Sequence, residues 1–341
     1  KNCQAPLTLV GTTIRRTQRG TMDHEMLLSS AIDSIESSYY VSGVDSTGNG
    51  VALTLATAPV DSQTPINFPL SVAQGEQALP PLLAASTVSA FGRGSETVVD
   101  PSVRVARELK PDAFTINFDP NATDILEQVR KALVPEASSI RAELHKLNIM
   151  EKGGFFHPHK DTPRGANTCF GTLVVVLPAP FEGGQLALEH SGKETVLNWG
   201  AQTRPPRWSY GINERDHMPK AGLQWAAFFG DVVHEVKRVT FGHRITLTYV
   251  LHRDSAPDPT ADMLLTRANA FHGALCAALA DSAFLPDGGH LGFYCRHLYE
   301  ESQLAQTEAK LKSGGAGAYA SKLKLKNEDA VVAAVMAQAG L

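Results

Sequence analysis

The chain has 341 residues, 43% hydrophobic and 19% charged. That is enough apolar material for one large domain or two ordinary ones, and it excludes a disordered chain. Its formal net charge of −4 gives no support to a strongly basic nucleic-acid surface, although local basic patches stay open, and no apolar run reaches the ~18 residues that a membrane span needs.

Residues 1–99 mix short strand candidates, YYVSGV at 39–44 and VALTL at 51–55, with turns such as Ser46-Thr47-Gly48-Asn49-Gly50. The stretch 77–96 is rich in small residues and ends in a Gly-Arg-Gly-Ser segment. No strand–glycine–helix context surrounds that G-x-G, so it is a poor phosphate signal. The spacing of Ile125, Val129, Leu133, Ile140, Leu144 and Leu147 predicts a helix over 122–147. Pro135 should break or kink it, and Asn121 or Thr123 could cap its start. Its apolar stripe would pack on the outside of a sheet.

His159-Lys160-Asp161 comes next. Residues two apart on an extended strand face the same way, so His159 and Asp161 can chelate one ion. His234 lies 73 residues beyond Asp161. Two imidazoles and one carboxylate form the facial triad of non-heme iron(II) oxygenases, with positions left open for cosubstrate and dioxygen. The apolar runs 173–177 and 225–229 read as buried strands that would wall a dry cavity. Between them, 199–222 is polar, turn-rich and long for a compact barrel. Its Arg204, Arg207, Trp208, Tyr210 and Arg215 suit a substrate lid or base stacking, and a plain surface excursion fits equally well. His217 in this loop reads as a surface residue.

The segment GHRITLTYVL at 242–251 is a strand by its β-branched residues. Alternation puts Arg244, Thr246 and Thr248 on one face, a pattern suited to the inside of a barrel that holds a charged ligand. Arg244 follows His234 by ten residues, and its planar fork suits the far carboxylate of a dicarboxylate cosubstrate. A second H-x-D, His252-Arg253-Asp254, has no matching sequel. Beyond it, 260–283 predicts an Ala/Leu helix, GGHLGFYCRHLYE at 288–300 a strand and turn, and the remainder a Lys-rich helical tail. The SKLKLKNED charge run reads as a solvated face. His290 and His297 have no acidic partner nearby in sequence and are read as structural. Cys3, Cys169, Cys276 and Cys295 are scattered without a C-x-x-C pair, which argues for free thiols and against a structural zinc site.

These blocks resemble the prolyl 4-hydroxylase group of iron(II)/2-oxoglutarate dioxygenases. In MEKGGFFHPHKD at 150–161, the residues Gly153, Phe156, Pro158, His159 and Asp161 match that group. FGTLVVVLPAPFEGGQLALEH looks like its apolar strand, a Glu-Gly-Gly turn at Glu182-Gly183-Gly184 and a second strand. WAAFFGDVVHEVKRVTFGHRITLTYVL is similar to its distal-histidine and cosubstrate strands. Upstream, VVDPSVRVARELKPDAF puts Arg104 in the family's arginine position. The resemblance covers about 100–252 and implies a mainly β fold with supporting helices (α+β), a double-stranded β-helix or jelly-roll, cupin-like barrel. Residues 1–99 would form an N-terminal β-rich extension, 100–255 the dioxygenase core and 256–341 a C-terminal helical extension.

The chemistry implied by the resemblance is hydroxylation of an unactivated C–H bond, with release of succinate and carbon dioxide. The substrate would be a protein or peptide side chain such as proline. Iron(II) would sit on His159, Asp161 and His234, and the cosubstrate 2-oxoglutarate on Arg244, with ascorbate as a candidate reductant. Arg104, Trp208 and Tyr210 are candidate substrate contacts. The family's tyrosine position holds Met150, which has no hydroxyl, so Arg244 with Thr246 or Thr172 is expected to compensate. Two other readings stay open: oxidation of a nucleobase or small metabolite by the same iron chemistry, and a barrel that binds metal or peptide without turnover. No membrane partner is expected, nucleic acid stays open, and the oligomeric state is unspecified. An iron(II) enzyme with free thiols is expected inside the cell, in cytoplasm or nucleus. The start at Lys1, without a methionine, reads as a fragment that has lost any targeting segment.

Overall fold

The unbroken apolar runs lie in the middle of a sheet, where both faces are covered. The computed structural model describes residues 8–11, 21–35, 37–46, 50–56, 64–93, 96–135, 137–162, 168–202, 222–254, 268–287, 291–299 and 325–341. In chain order, the strands of its two main sheets begin with β1 (Tyr40–Asp45), β2 (Thr87–Val88), β3 (Arg104–Val105), β4 (Arg107–Leu109), β5 (Ile140–Met150) and β6 (Phe155–His159). They continue with β7 (Cys169–Val176), β8 (Leu186–His190), β9 (Lys193–Leu197), β10 (Leu223–Phe229), β11 (Val233–Val236) and β12 (Arg244–Arg253). The helices are α1 (Thr21–Asp33), α2 (Val72–Ala85), α3 (Ile125–Leu133), α4 (Asn269–Ala280) and α5 (Asn327–Gln338).

The seven-stranded sheet runs β1-β10-β7-β12-β5-β4-β2, and the five-stranded sheet runs β9-β8-β11-β6-β3. One apolar core draws on both sheets: Leu173, Val175 and Phe228 from the first, Phe156, Leu188 and Val236 from the second, with Val129 and Leu133 of α3 packed in. The fold is thus mainly β with supporting helices. A separate apolar cluster joins Leu28 of α1, Phe271 and Leu275 of α4, and Val331 and Val335 of α5. No helix among the described residues is long and apolar enough to cross a membrane. Cys276 and Cys295 carry free thiols.

The helix expected over 122–147 is only half present. α3 ends at Leu133, before Pro135, and 140–150 is strand β5. The misleading spacing has a physical source. Ile140, Ala142 and Leu144 alternate, then a register shift between Leu144 and Lys146 inserts one extra residue. That bulge turns the next apolar step, Leu144 to Leu147, into a spacing of three, which imitates a helix. Asn121 does not cap α3; its amide group bonds both backbone groups of Ala142 and pins β5. The Thr123 hydroxyl accepts from the Ile125 N–H at 3.3 Å.

One further expectation is corrected, and one histidine gains partners. Glu328 and Asp329, at the end of the supposed solvated charge run, are buried in the first turn of α5. His297 is buried too, and it has acidic partners on both sides, Asp231 and Glu328. Both are far from it in sequence.

Close approach of two backbones sets one requirement on the central sheet. A Cβ on Gly171 would lie 2.4 Å from the carbonyl oxygen of Phe228 on the neighbouring strand. Gly171→Ala is therefore expected to force β7 and β10 apart and cost about 1–3 kcal/mol, the usual penalty for overpacking. Urea unfolding checks it, and a wild-type midpoint would mean that β10 yields freely.

Candidate metal centre

Strands β6 and β11 pair antiparallel with His159 directly opposite His234. Their rings lie 4.1 Å apart, centroid to centroid. Asp161 follows β6 by two residues, and its Oδ1 is 3.7 Å from His234 Nε2. One ligand atom from each of the three residues falls within 4.8 Å of the others. Strand pairing thus brings together what 73 residues of sequence separate.

Both imidazoles are held in one tautomer. His159 Nδ1 lies 2.9 Å from the carbonyl of His157, and His234 Nδ1 lies 3.0 Å from the carbonyl of Val232. A carbonyl only accepts, so each Nδ1 carries the proton and each Nε2 keeps its lone pair for an ion. Burial, with His234 alongside, pushes His159 down to about 3 and keeps it neutral. In both cases the carbonyl belongs to the residue two before the histidine, a local device of strand geometry that sequence reading missed.

The carboxylate is also fixed. The Asp161 N–H donates to Gly230 at 3.0 Å, and the Thr172 hydroxyl donates to Asp161 Oδ2 at 2.5 Å. Thr172 was expected beside Arg244. It lies instead across from Val250, six residues along β12 from Arg244, and its hydroxyl is taken by Asp161. Thr172→Val keeps the shape and removes the hydrogen bond. It is expected to weaken iron(II) binding roughly 10-fold or more, as loss of a partner that orients a ligand does; unchanged affinity in an anaerobic titration would disprove this role.

Arg104 is buried under the same centre. Its guanidinium lies 4.5 Å from the Phe156 ring centroid, and Phe156 stacks on His159 at 3.5 Å. It donates to Ala90 O and to Asn148 Oδ1, and Asn148 donates to Thr248. Burial lowers its pKa to about 10, so it stays charged at neutral pH. Its visible bonds all support the metal-side column.

Arg244 opens β12 and is only 2% exposed. Its Nε and Nη2 have no hydrogen-bond partner among the described residues. Burial lowers it to about 10, so the guanidinium is a cation in a nearly dry place. The stem is packed tightly: Gly184 has φ +59°, and a Cβ there would be 2.9 Å from Arg244 Cδ. The Trp199 ring lies 5.6 Å from the guanidinium carbon. Met150 stands directly across from Arg244 in the β5–β12 register, and Asn148 across from Thr246. Thr246 is buried two residues along β12 from Arg244. Trp208 and Tyr210, with Arg204, Arg207, Arg215 and His217, lie outside the described residues.

Fold and site together define a mainly β protein with a two-histidine, one-carboxylate centre and a separate buried arginine. Neither a protein-family profile nor a curated protein matches the chain. Its structural neighbours are prolyl 4-hydroxylases and 2-oxoglutarate–Fe(II) oxygenases. A Pseudomonas putida prolyl-4-hydroxylase matches at 15% identity over 67% of this chain and 99% of its own, with TM-score 0.34. A Trichoplax adhaerens prolyl hydroxylase, solved with a hypoxia-inducible-factor peptide fragment, matches at 13% identity over 70% and 94%, with TM-score 0.34. A Burkholderia pseudomallei oxidoreductase of the 2OG-Fe(II) oxygenase family matches at 14% identity over 72% and 97%, with TM-score 0.28.

Proposed function

We propose that this protein is an iron(II)/2-oxoglutarate-dependent oxygenase of the jelly-roll type that hydroxylates a protein or peptide side chain. The observation that carries the reading is Arg244. With Nε and Nη2 unpartnered among the described residues, its buried guanidinium costs several kcal/mol unless something anionic meets it. A dicarboxylate that chelates the metal at one end and reaches Arg244 with the other satisfies both sites at once. The donor set fits iron(II): two imidazoles and one carboxylate, which would leave coordination positions open.

When bound, iron(II), 2-oxoglutarate and dioxygen supply an oxidant strong enough to hydroxylate an unactivated C–H bond, with succinate and carbon dioxide as the other products. The chain's own residues do the rest. His159, Asp161 and His234 hold the ion from one side. Thr172 and the carbonyls of His157 and Val232 fix their orientation. Arg244 takes the far carboxylate, with Thr246 beside it on the same face. Val174 and Val176, on the face of β7 that carries Thr172, exclude water. The peptide substrate class rests on the likeness of 150–161 to the prolyl hydroxylase group.

One observation favours a second reading, a barrel that binds metal and anion without turnover. Met150 faces Arg244 where a hydroxyl would help to hold the carboxylate. The test is anaerobic iron(II) titration with and without 2-oxoglutarate, followed by air and a succinate assay. A visible charge-transfer band that needs both additions, and succinate on aeration, supports the oxygenase. Iron bound without any response to 2-oxoglutarate overturns the cosubstrate, and a band without succinate favours the binding-only barrel.

A further inference from the structure

The turn between β10 and β11 holds two of the three candidate ligands through its backbone. Gly230 O accepts the Asp161 N–H, and Val232 O accepts the His234 Nδ1–H. Between these two carbonyls sits Asp231, whose side chain is buried. Its donors among the described residues all come from the C-terminal part of the chain. His297 Nδ1 lies 3.0 Å and the Leu298 N–H 3.0 Å from Oδ2, and Lys326 Nζ lies 2.8 Å from Oδ1.

The C-terminal side is itself braced. Lys326, the residue before α5, also donates to Leu298 O at 3.0 Å. Glu328 Oε2 lies 3.5 Å from His297 Nε2. Asp329 accepts from the backbone N–H groups of Arg296 and His297 and from the Tyr299 hydroxyl. His297 is wedged between the His190 ring, stacked at 4.8 Å, and the Phe229 ring, edge-on at 4.6 Å. Burial alone would lower the His297 pKa, but Asp231 and Glu328 outweigh it and raise it to about 9. Burial alone would raise Asp231, but His297 and Lys326 hold it well below the usual carboxylate range. The result is an imidazolium and an ammonium locked onto carboxylates inside the protein.

We propose that residues 296–299 and 326–329 form a positioning device for the metal centre: His297 and Lys326 grip Asp231, which fixes the 230–232 turn and, through its two carbonyls, the aim of Asp161 and His234. This rests on reading the triad as an iron site. His190, Asp231 and His297 also have donor atoms within 4.8 Å of one another, as an ion site would. The oxygens of Asp231 are already engaged by three donors, and the Lys326 ammonium stands where a second cation would compete. The cluster is therefore an ionic clamp, and His297 and Lys326 are positioning residues with no contact to the ion.

Anaerobic iron(II) titration of the full chain tests this, with metal per chain counted and the Tm of the apoprotein measured in parallel. Lys326→Met and His297→Gln are each expected to weaken iron(II) about 10-fold, the low end for partners that aim metal ligands. Lys326→Arg should keep most of the affinity. Leu275→Ala opens a cavity in the C-terminal apolar cluster without touching Asp231, and should lower Tm with iron affinity unchanged. Wild-type affinity in both clamp variants, or an equal loss in Leu275→Ala, overturns the positioning role. Two metal equivalents per wild-type chain, falling to one in His297→Gln, overturns it by making the cluster a metal site. If His297→Gln does not fold, the partly exposed Lys326 carries the test alone. A wild-type chain that binds no iron(II) sinks the triad and this proposal together; normal binding in wild type and variants alike sinks the clamp only.

Discussion

Replacing Arg244 by methionine is expected to make the ligand-free protein harder to unfold while removing most of its affinity for 2-oxoglutarate. The two effects share one cause. The guanidinium is buried with Nε and Nη2 unpartnered among the described residues, so none of them compensates its charge. Methionine fills similar space without that charge, beside the methionine already at position 150. By analogy with apolar replacements of buried ionic groups, the gain is on the order of 1–4 kcal/mol. The loss on the ligand side is larger: truncating one partner of a buried charge pair costs about 2–5 kcal/mol, roughly thirty-fold to several-thousand-fold in Kd. Thermal unfolding without ligand and 2-oxoglutarate titration of the iron(II)-loaded protein measure the two halves. A fall in apoprotein stability would mean that a carboxylate already pairs with Arg244. Unchanged 2-oxoglutarate affinity would remove Arg244 from the site.

Asp161→Ala should abolish iron(II) retention and every activity that depends on it. Two facing imidazoles remain, but the only anionic donor of the triad is gone. The loss should exceed the roughly 10–100-fold that accompanies loss of a partner to a ligand. The charge-transfer band should vanish, and succinate should not form. Apoprotein Tm, measured in parallel, reports separately the loss of the Thr172 hydrogen bond to Asp161. The same variant is a control for Arg244→Met, which should keep iron while losing the cosubstrate. Turnover retained in Asp161→Ala would sink the triad.

Much of the site was legible in the sequence because its chemistry is carried by local spacing. His159 and Asp161 are two apart at a strand end, and Arg244 and Thr246 stand out as polar residues alternating in an apolar strand. What joined His159 to His234 was register, which no spacing encodes. Thr172 shows the limit: it lies on the expected strand and face, but its level along the strand puts it on Asp161 and far from Arg244. β5 was misread because a bulge at one residue converts period two into an apparent helical step. The acids that hold His297 were not legible because they lie 66 residues upstream and 31 downstream, and only packing brings them together. Trp208 and Tyr210 remain expectations about a loop outside the described residues.

Arg244, with Nε and Nη2 unpartnered among the described residues, has one further consequence, for lifetime rather than chemistry. A protein that stores unfavourable free energy in a lone buried cation releases it when a suitable anion arrives, so occupancy adds stability in proportion to the logarithm of ligand concentration. In a cell, where chaperones and proteases sample the unfolded fraction, a difference of 1–2 kcal/mol changes abundance several-fold. The amount of this protein would then follow the supply of its anionic ligand, and a starved cell would clear it without any dedicated degradation signal.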